Sequence, residues 1–154
     1  ALIYAVRNWF YDIARMLIAA GADISIKDGR RKTAMDYAMD KNYNTIIEML
    51  IDAGASPDYR GACGNTLLGW AVAGKNSALA QYLISRGASV ELADEKGFSP
   101  LMRAAENGHF ETVRLLVESG ADISRKGPHG ETAMDIAVKN KRIKITAYLR
   151  ETCG

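Results

Sequence analysis

The chain has 154 residues, 48% of them hydrophobic and 25% charged, with a formal net charge of +2. That is the balance of a globular domain large enough for a sizeable core. The small net charge supplies no field that calls for nucleic acid, and charged residues break every apolar run well before it could span a bilayer, so neither nucleic-acid binding nor membrane insertion is expected.

In chain order, the first segment keeps an apolar register at helical spacing: Leu2, Ala5, Val6, Ile13, Leu17 and Ile18. Arg7 and Asn8 lie within this pattern, which therefore lacks the charged head and apolar run of a secretory leader. The segment closes on Gly21-Ala22-Asp23, and near-copies follow at Gly54-Ala55-Ser56, Gly87-Ala88-Ser89 and Gly120-Ala121-Asp122, each 33 residues on. A second marker, Thr33, Thr66, Ser99 and Thr132, keeps the same period. Two markers in one register imply an array of repeats.

Each repeat opens on that Thr or Ser, a helix N-cap whose hydroxyl accepts from an orphan backbone N–H. Thr33-Ala34-Met35-Asp36 and Thr132-Ala133-Met134-Asp135 add the carboxylate of a capping box, and Ser99-Pro100 places proline at the first helical position. A short helix follows, with Ala38, Ala71, Ala104 and Ala137 where helices approach closely, and the chain turns near Asn42, Lys75, Gly108 and Lys141. A second helix carries paired apolar positions (Ile46, Ile47, Leu50 and Ile51; Thr112, Val113, Leu116 and Val117) and ends on the repeated glycine as a left-handed cap. Asp28-Gly29, Gly64, Gly97 and Gly130 are expected at the tips of the polar turns between repeats, where a positive φ suits glycine. The repeats run at about 28–60, 61–93, 94–126 and 127–154, after a partial one at 1–27.

The run Ser99-Pro100-Leu101-Met102, Ala104-Ala105, Gly108-His109, Val113, Leu116-Val117 and Gly120-Ala121-Asp122 resembles the ankyrin repeat, and the likeness extends over the whole chain. It implies an all-α solenoid of stacked helix-turn-helix units with projecting β-turn fingers and a concave groove, in a single domain. The chain departs from the family at the fourth position of the opening. There the family's His is replaced by Ile3, Asp36, Gly69, Met102 and Asp135, so its bonds between repeats must be replaced or lost. The first repeat has no polar outer face, and the natural protein is expected to continue upstream, the alternative being a trimmed or disordered N-terminus. The last has Thr146 and Arg150 where others are apolar, and seven Lys/Arg against three Asp/Glu from Arg125 onward, the polar face of a terminal cap. The basic run from Lys139 to Lys144 is read as part of that face rather than as a nuclear signal.

Catalytic signals are sparse and an enzyme is not expected. His109 falls in the Gly-His turn, where local hydrogen bonding is expected of it, and neither His109 nor His129 has companions at zinc-ligand spacing. No nucleophile elbow, phosphate loop or dinucleotide fingerprint occurs, and no cofactor is expected. Asp36 and Asp40 read as a cap and a surface group, and Cys63 as an ordinary exposed thiol at a finger tip. Two cysteines in different repeats and no Asn-x-Ser/Thr site fit an intracellular setting, cytoplasmic or nuclear.

The resemblance implies a protein partner. One ladder of residues 33 apart, Tyr4, Tyr37, Trp70, Arg103 and Ile136, is rich in types common at interface hot spots, though it also suits packing between helices. Three and four residues further on, Arg7/Asn8, Asp40/Lys41, Ala73/Gly74, Glu106/Asn107 and Lys139/Asn140 are implied to line the groove. The fingers add Lys27, Arg30, Lys32, Arg60, Glu95, Lys96, Phe98, Lys126 and His129, with Phe98 read as an exposed contact and Lys27, Arg30, Lys32 and Arg60 as a basic cluster. A small anionic or nucleotide-like ligand, stacked on Tyr37 or Trp70 and held by Lys32 or Arg60, is the alternative. Others are delivery of a catalytic segment outside this chain and a plain spacer.

Overall fold

The computed structural model describes residues 1–62 and 64–153, the last by its backbone alone, so the expectation for Cys63 lies outside the described residues. Among the described residues five helix pairs follow one another: α1 (Leu2–Arg7) and α2 (Tyr11–Ala19), α3 (Ala34–Asp40) and α4 (Asn44–Asp52), α5 (Leu67–Ala73) and α6 (Ser77–Ser85), α7 (Pro100–Asn107) and α8 (Phe110–Glu118), α9 (Ala133–Lys139) and α10 (Ile143–Cys153). Each pair packs on itself, and α1 packs on α3, α5 on α7 and α7 on α9 in one row, α2 on α4, α6 on α8 and α8 on α10 in the other, while the Tyr82 hydroxyl of α6 donates to Glu48 and Asp52 of α4. The core runs between the rows as one chain of buried side chains, among them Ile46, Leu50, Leu67, Leu83, Leu101, Leu116 and Leu149.

The local rules that set the helix starts recur as expected. The hydroxyls of Thr33, Thr66, Ser99 and Thr132 each accept from the backbone N–H three residues on. Both capping boxes form, at Thr33/Asp36 and Thr132/Asp135. Gly21, Gly54, Gly87 and Gly120 end the second helices at positive φ. One turn recurs that the motif alone did not announce: Asp23, Ser56, Ser89 and Asp122 each accept from the N–H two residues on, fixing the path into the finger.

The finger tips correct one expectation. In each finger the first residue's N–H donates to the carbonyl four residues on, and the N–H of the fourth residue donates back to the carbonyl of the first: Asp28/Lys32 with Arg31, Gly61/Asn65 with Gly64, Asp94/Phe98 with Gly97, Gly127/Glu131 with Gly130. That hydrogen-bond register places the left-handed residue fourth, so Arg31 (φ 62°), not Gly29, is the counterpart of Gly64, Gly97 and Gly130. A left-handed arginine costs roughly 1–2 kcal/mol, which glycine avoids at the expense of a freer unfolded chain. Arg31→Gly is therefore expected to raise stability by about 0.5–1 kcal/mol in urea unfolding, whereas Gly29→Ala, at an ordinary φ, should change it little.

Several repeats are joined by polar latches. Asp58 accepts from the N–H of Ser89 (2.8 Å), and its counterpart 33 residues on, Glu91, accepts from the N–H of Asp122 (2.8 Å) and pairs with Arg125 (2.7 Å). His109 is not confined to its own turn, as expected from the motif; its Nδ1 lies 3.0 Å from the carbonyl oxygen of Val72 in the preceding repeat.

The missing family histidine is replaced at one interface. Asp36, 5% exposed, receives the N–H and hydroxyl of Thr33 and the hydroxyl of Tyr59 on Oδ2 (2.8, 3.0 and 2.8 Å), and the N–H of Ala62 from the next repeat on Oδ1 (2.8 Å). Burial alone would raise its pKa, but these donors outweigh that and hold the carboxyl below the usual carboxylate range. Gly69 has no side chain to offer in the corresponding place.

The two ends differ. Tyr4, Trp9, Phe10, Ile13, Met16 and Ile26 are exposed on the first repeat, so its outer side is apolar. At the other end Arg150 is exposed and Thr146 partly so, although Val138 and Ile143 are exposed as well. No helix among the described residues is long and apolar enough to cross a membrane.

Candidate partner-binding groove

The first helices α1, α3, α5, α7 and α9 and the fingers before them carry the expected contact residues. At the positions three and four residues beyond the ladder, Arg7, Asn8, Asp40, Lys41, Ala73, Gly74, Asn107, Lys139 and Asn140 are exposed and Glu106 is half-buried. These positions form a solvent-facing band whose chemistry changes from repeat to repeat while the framework beneath repeats.

The ladder itself splits. Tyr4 is 60% exposed and Trp70 and Arg103 are half-buried, but Tyr37 is 6% exposed and Ile136 is buried. Tyr37 is packed between helices and donates its hydroxyl to Asp28 Oδ2 (2.6 Å), which raises its own pKa and lowers that of Asp28. The same arrangement recurs 66 residues on, where Arg103 Nε donates to Asp94 Oδ2 (2.6 Å). In both, the other carboxylate oxygen accepts from two backbone N–H groups of the finger: Arg30 and Lys32 in one, Lys96 and Phe98 in the other. A finger and the helix behind it are thus tied through one aspartate. Sequence reasoning missed Asp28 and Asp94 as part of the site. The available signal was an acid nine residues before a polar ladder residue, which Gly61 and Gly127 lack in the alternate repeats.

Phe98 departs from its expected role as an exposed tip contact. It is half-buried, packed against the core, with the Arg103 guanidinium 4.1 Å above its ring and His129 edge-on at 6.5 Å. His129 and Lys96 are exposed at the tips beside it. Arg103 is therefore held on three sides, by Phe98, by Asp94 and by Glu106 through Nη1 (2.7 Å). Burial pulls against its charge, but the two carboxylates prevail and raise its pKa.

Two clefts open in this face. One, about 340 Å³, lies between α5 and α7 and brings together Lys96, Phe98, Arg103, Glu106 and Asn107 with Gly69 and Ala73. The other, also about 340 Å³, lies between α3 and α5 and includes Lys32 and Trp70 with Asp40 and Gly61. Tyr4, Arg7 and Lys41 line neither cleft, and Arg30 sits at the first finger tip.

The basic cluster foreseen on the N-terminal fingers is partly neutralised. Lys32 pairs with Asp40 and lies over the Tyr37 ring, and Arg60 donates to the carbonyls of Gly64 (2.9 Å) and Ala93 (2.8 Å), bridging two fingers. Lys27, Arg30 and Arg31 are exposed. Of the groups assigned to an anionic ligand, Tyr37 is covered and Lys32 and Arg60 are paired within the fold, whereas Trp70 is half-buried and lines the cleft between α3 and α5. Among the described residues no group of three or more His, Cys, Asp or Glu side chains is placed to hold a metal ion.

Comparison of the chain with curated proteins gives no match. The family model described as ankyrin repeats in three copies matches residues 35–127 and again 68–154, and the model of a single ankyrin repeat matches residues 1–29. With the 33-residue period, the capped helix pairs and the four fingers in register, these matches place the chain in the ankyrin-repeat family.

Proposed function

We propose that the chain is a scaffold-type module that holds a protein partner across the groove formed by its first helices and finger tips. Ankyrin repeats are, in general, protein–protein interaction modules. The observation that carries the reading for this chain is the exposed band on α1, α3, α5, α7 and α9, whose residue types vary along an otherwise repeating frame and which opens into two clefts. A specific, non-repeating partner needs such variation, and half-buried Trp70 and Arg103 are types that anchor interfaces.

The test is capture of a partner on the immobilised chain, followed by affinities of surface variants. Lys41→Glu with Asn107→Lys alters the groove at two exposed positions, and Glu111→Lys with Arg114→Glu alters the opposite row of helices. The groove pair is expected to lose about tenfold or more in affinity while the α8 pair stays within about twofold. The reverse pattern contradicts the assignment.

A further inference from the structure

The cleft between α5 and α7 exists because the third opening lacks side chains that its neighbours have. Where the other repeats place Asp36, Met102 and Asp135, this one has Gly69, and where they place Asp40, Glu106 and Lys139 it has Ala73. The floor is consequently low, and the walls belong to the next repeat: Phe98 and Arg103 on one side, Glu95 and Glu106 at the rim. Glu95 leans toward the preceding finger so closely that a Cβ on Gly64 would collide with its carboxyl group. The opening of about 340 Å³ is at the lower end for a ligand pocket, and the size suits one long side chain better than a cofactor.

The charges select among side chains. Carboxylates in the lining outnumber cations, with Asp94, Glu95 and Glu106 against Lys96 and Arg103. The guanidinium of Arg103 is already held by Asp94 and Glu106, so it is poorly placed to receive an anion. An acidic guest would meet the Glu95 and Glu106 carboxylates with only the exposed Lys96, among the described residues, as a free cation, and an apolar one would strip Glu95, which unlike Glu106 has no Arg103 contact, of water with no partner in return. A guest with an apolar stem and a cationic head satisfies both the floor and the rim.

On the reading that this face is the binding groove, we propose that the α5–α7 cleft is the specificity pocket for an arginine or lysine side chain. That side chain would belong to an extended partner segment lying across the fingers. Its methylenes rest on Gly69 and Ala73, and its head reaches Glu95 and Glu106.

The probe is a peptide library of extended segments with Arg, Lys, Leu or Glu fixed at the centre and the flanks randomised, titrated on the full chain. The Arg and Lys sub-libraries are expected to bind about tenfold more tightly than the Leu and Glu ones. Ala73→Leu fills the floor from an exposed position, and Glu95→Gln with Glu106→Gln removes the rim charge; each is expected to abolish the preference with the thermal midpoint little changed. Binding without a preference for a cation, or a preference that survives both variants, overturns this inference and leaves the groove reading in place. No binding by any sub-library overturns this inference and leaves the groove reading to be decided by the partner capture and its surface variants.

Discussion

Replacing Asp36 with alanine is expected to destabilise the stack by about 2–4 kcal/mol, because it strips partners from several groups at once in a region shielded from water. The Ala62 N–H, the Tyr59 hydroxyl and the Thr33 N–H all donate to this carboxylate, and two of those donors belong to the segment leading into the next repeat. Asp36→Asn keeps the shape and one acceptor oxygen and should cost less, about 1–2 kcal/mol. The effect carries a pH signature. A carboxyl whose folded pKa is depressed contributes its full stability above the unfolded value near about 3.9, and loses it as pH falls below that toward the folded value. Acid titration of urea midpoints should therefore fall less steeply below about pH 4 in Asp36→Asn than in the wild type. Asp94, held low against its burial by Arg103, keeps part of the wild-type slope. At the alkaline end Tyr59, whose pKa burial pushes up to about 12, contributes stability that is complete below about pH 10 and declines as pH rises toward 12. Identical acid limbs in wild type and Asp36→Asn would mean that the carboxylate does not join these repeats.

Ile46→Ala is the second large effect, expected at about 2–5 kcal/mol by urea unfolding. Ile46 is fully buried. Ile13, the same residue type at the same register position of the first repeat, is 50% exposed, and Ile13→Ala should cost only about 1 kcal/mol. The pair isolates what a neighbouring repeat contributes, since sequence and helix geometry are alike and only the covering differs. Equal losses at the two positions would show that burial between repeats does not govern stability here.

How much could be read in advance follows from the range of each interaction. N-caps, capping boxes and glycine-terminated helices depend on residues within a turn of one another, so Thr33, Asp36, Thr66, Ser99 and the Gly21 series were legible with their roles. The tip of the first finger was misread because Asp28-Gly29 looks like a turn dipeptide. What fixes the tip is the hydrogen-bond register, which puts Arg31 in the left-handed position. The ladder was legible as a position and not as a surface: identical spacing leaves Tyr4 open and covers Tyr37, because a neighbour packs on one and not on the other. Phe98 was expected to be exposed because it follows a tip glycine, and its cover by Arg103 arises from a residue on the next helix. The cleft between α5 and α7 was least legible, since it is the absence of side chains at Gly69 and Ala73 facing residues of another repeat.

The groove is tested most directly by placing a photo-reactive amino acid at single exposed positions and irradiating the chain with its captured partner. Lys41, Ala73 and Asn107 report on the groove, and Thr45 and Arg114 on the opposite row of helices. Adducts with the partner at the groove positions and none at the opposite row are predicted; adducts confined to Thr45 and Arg114 would contradict the account.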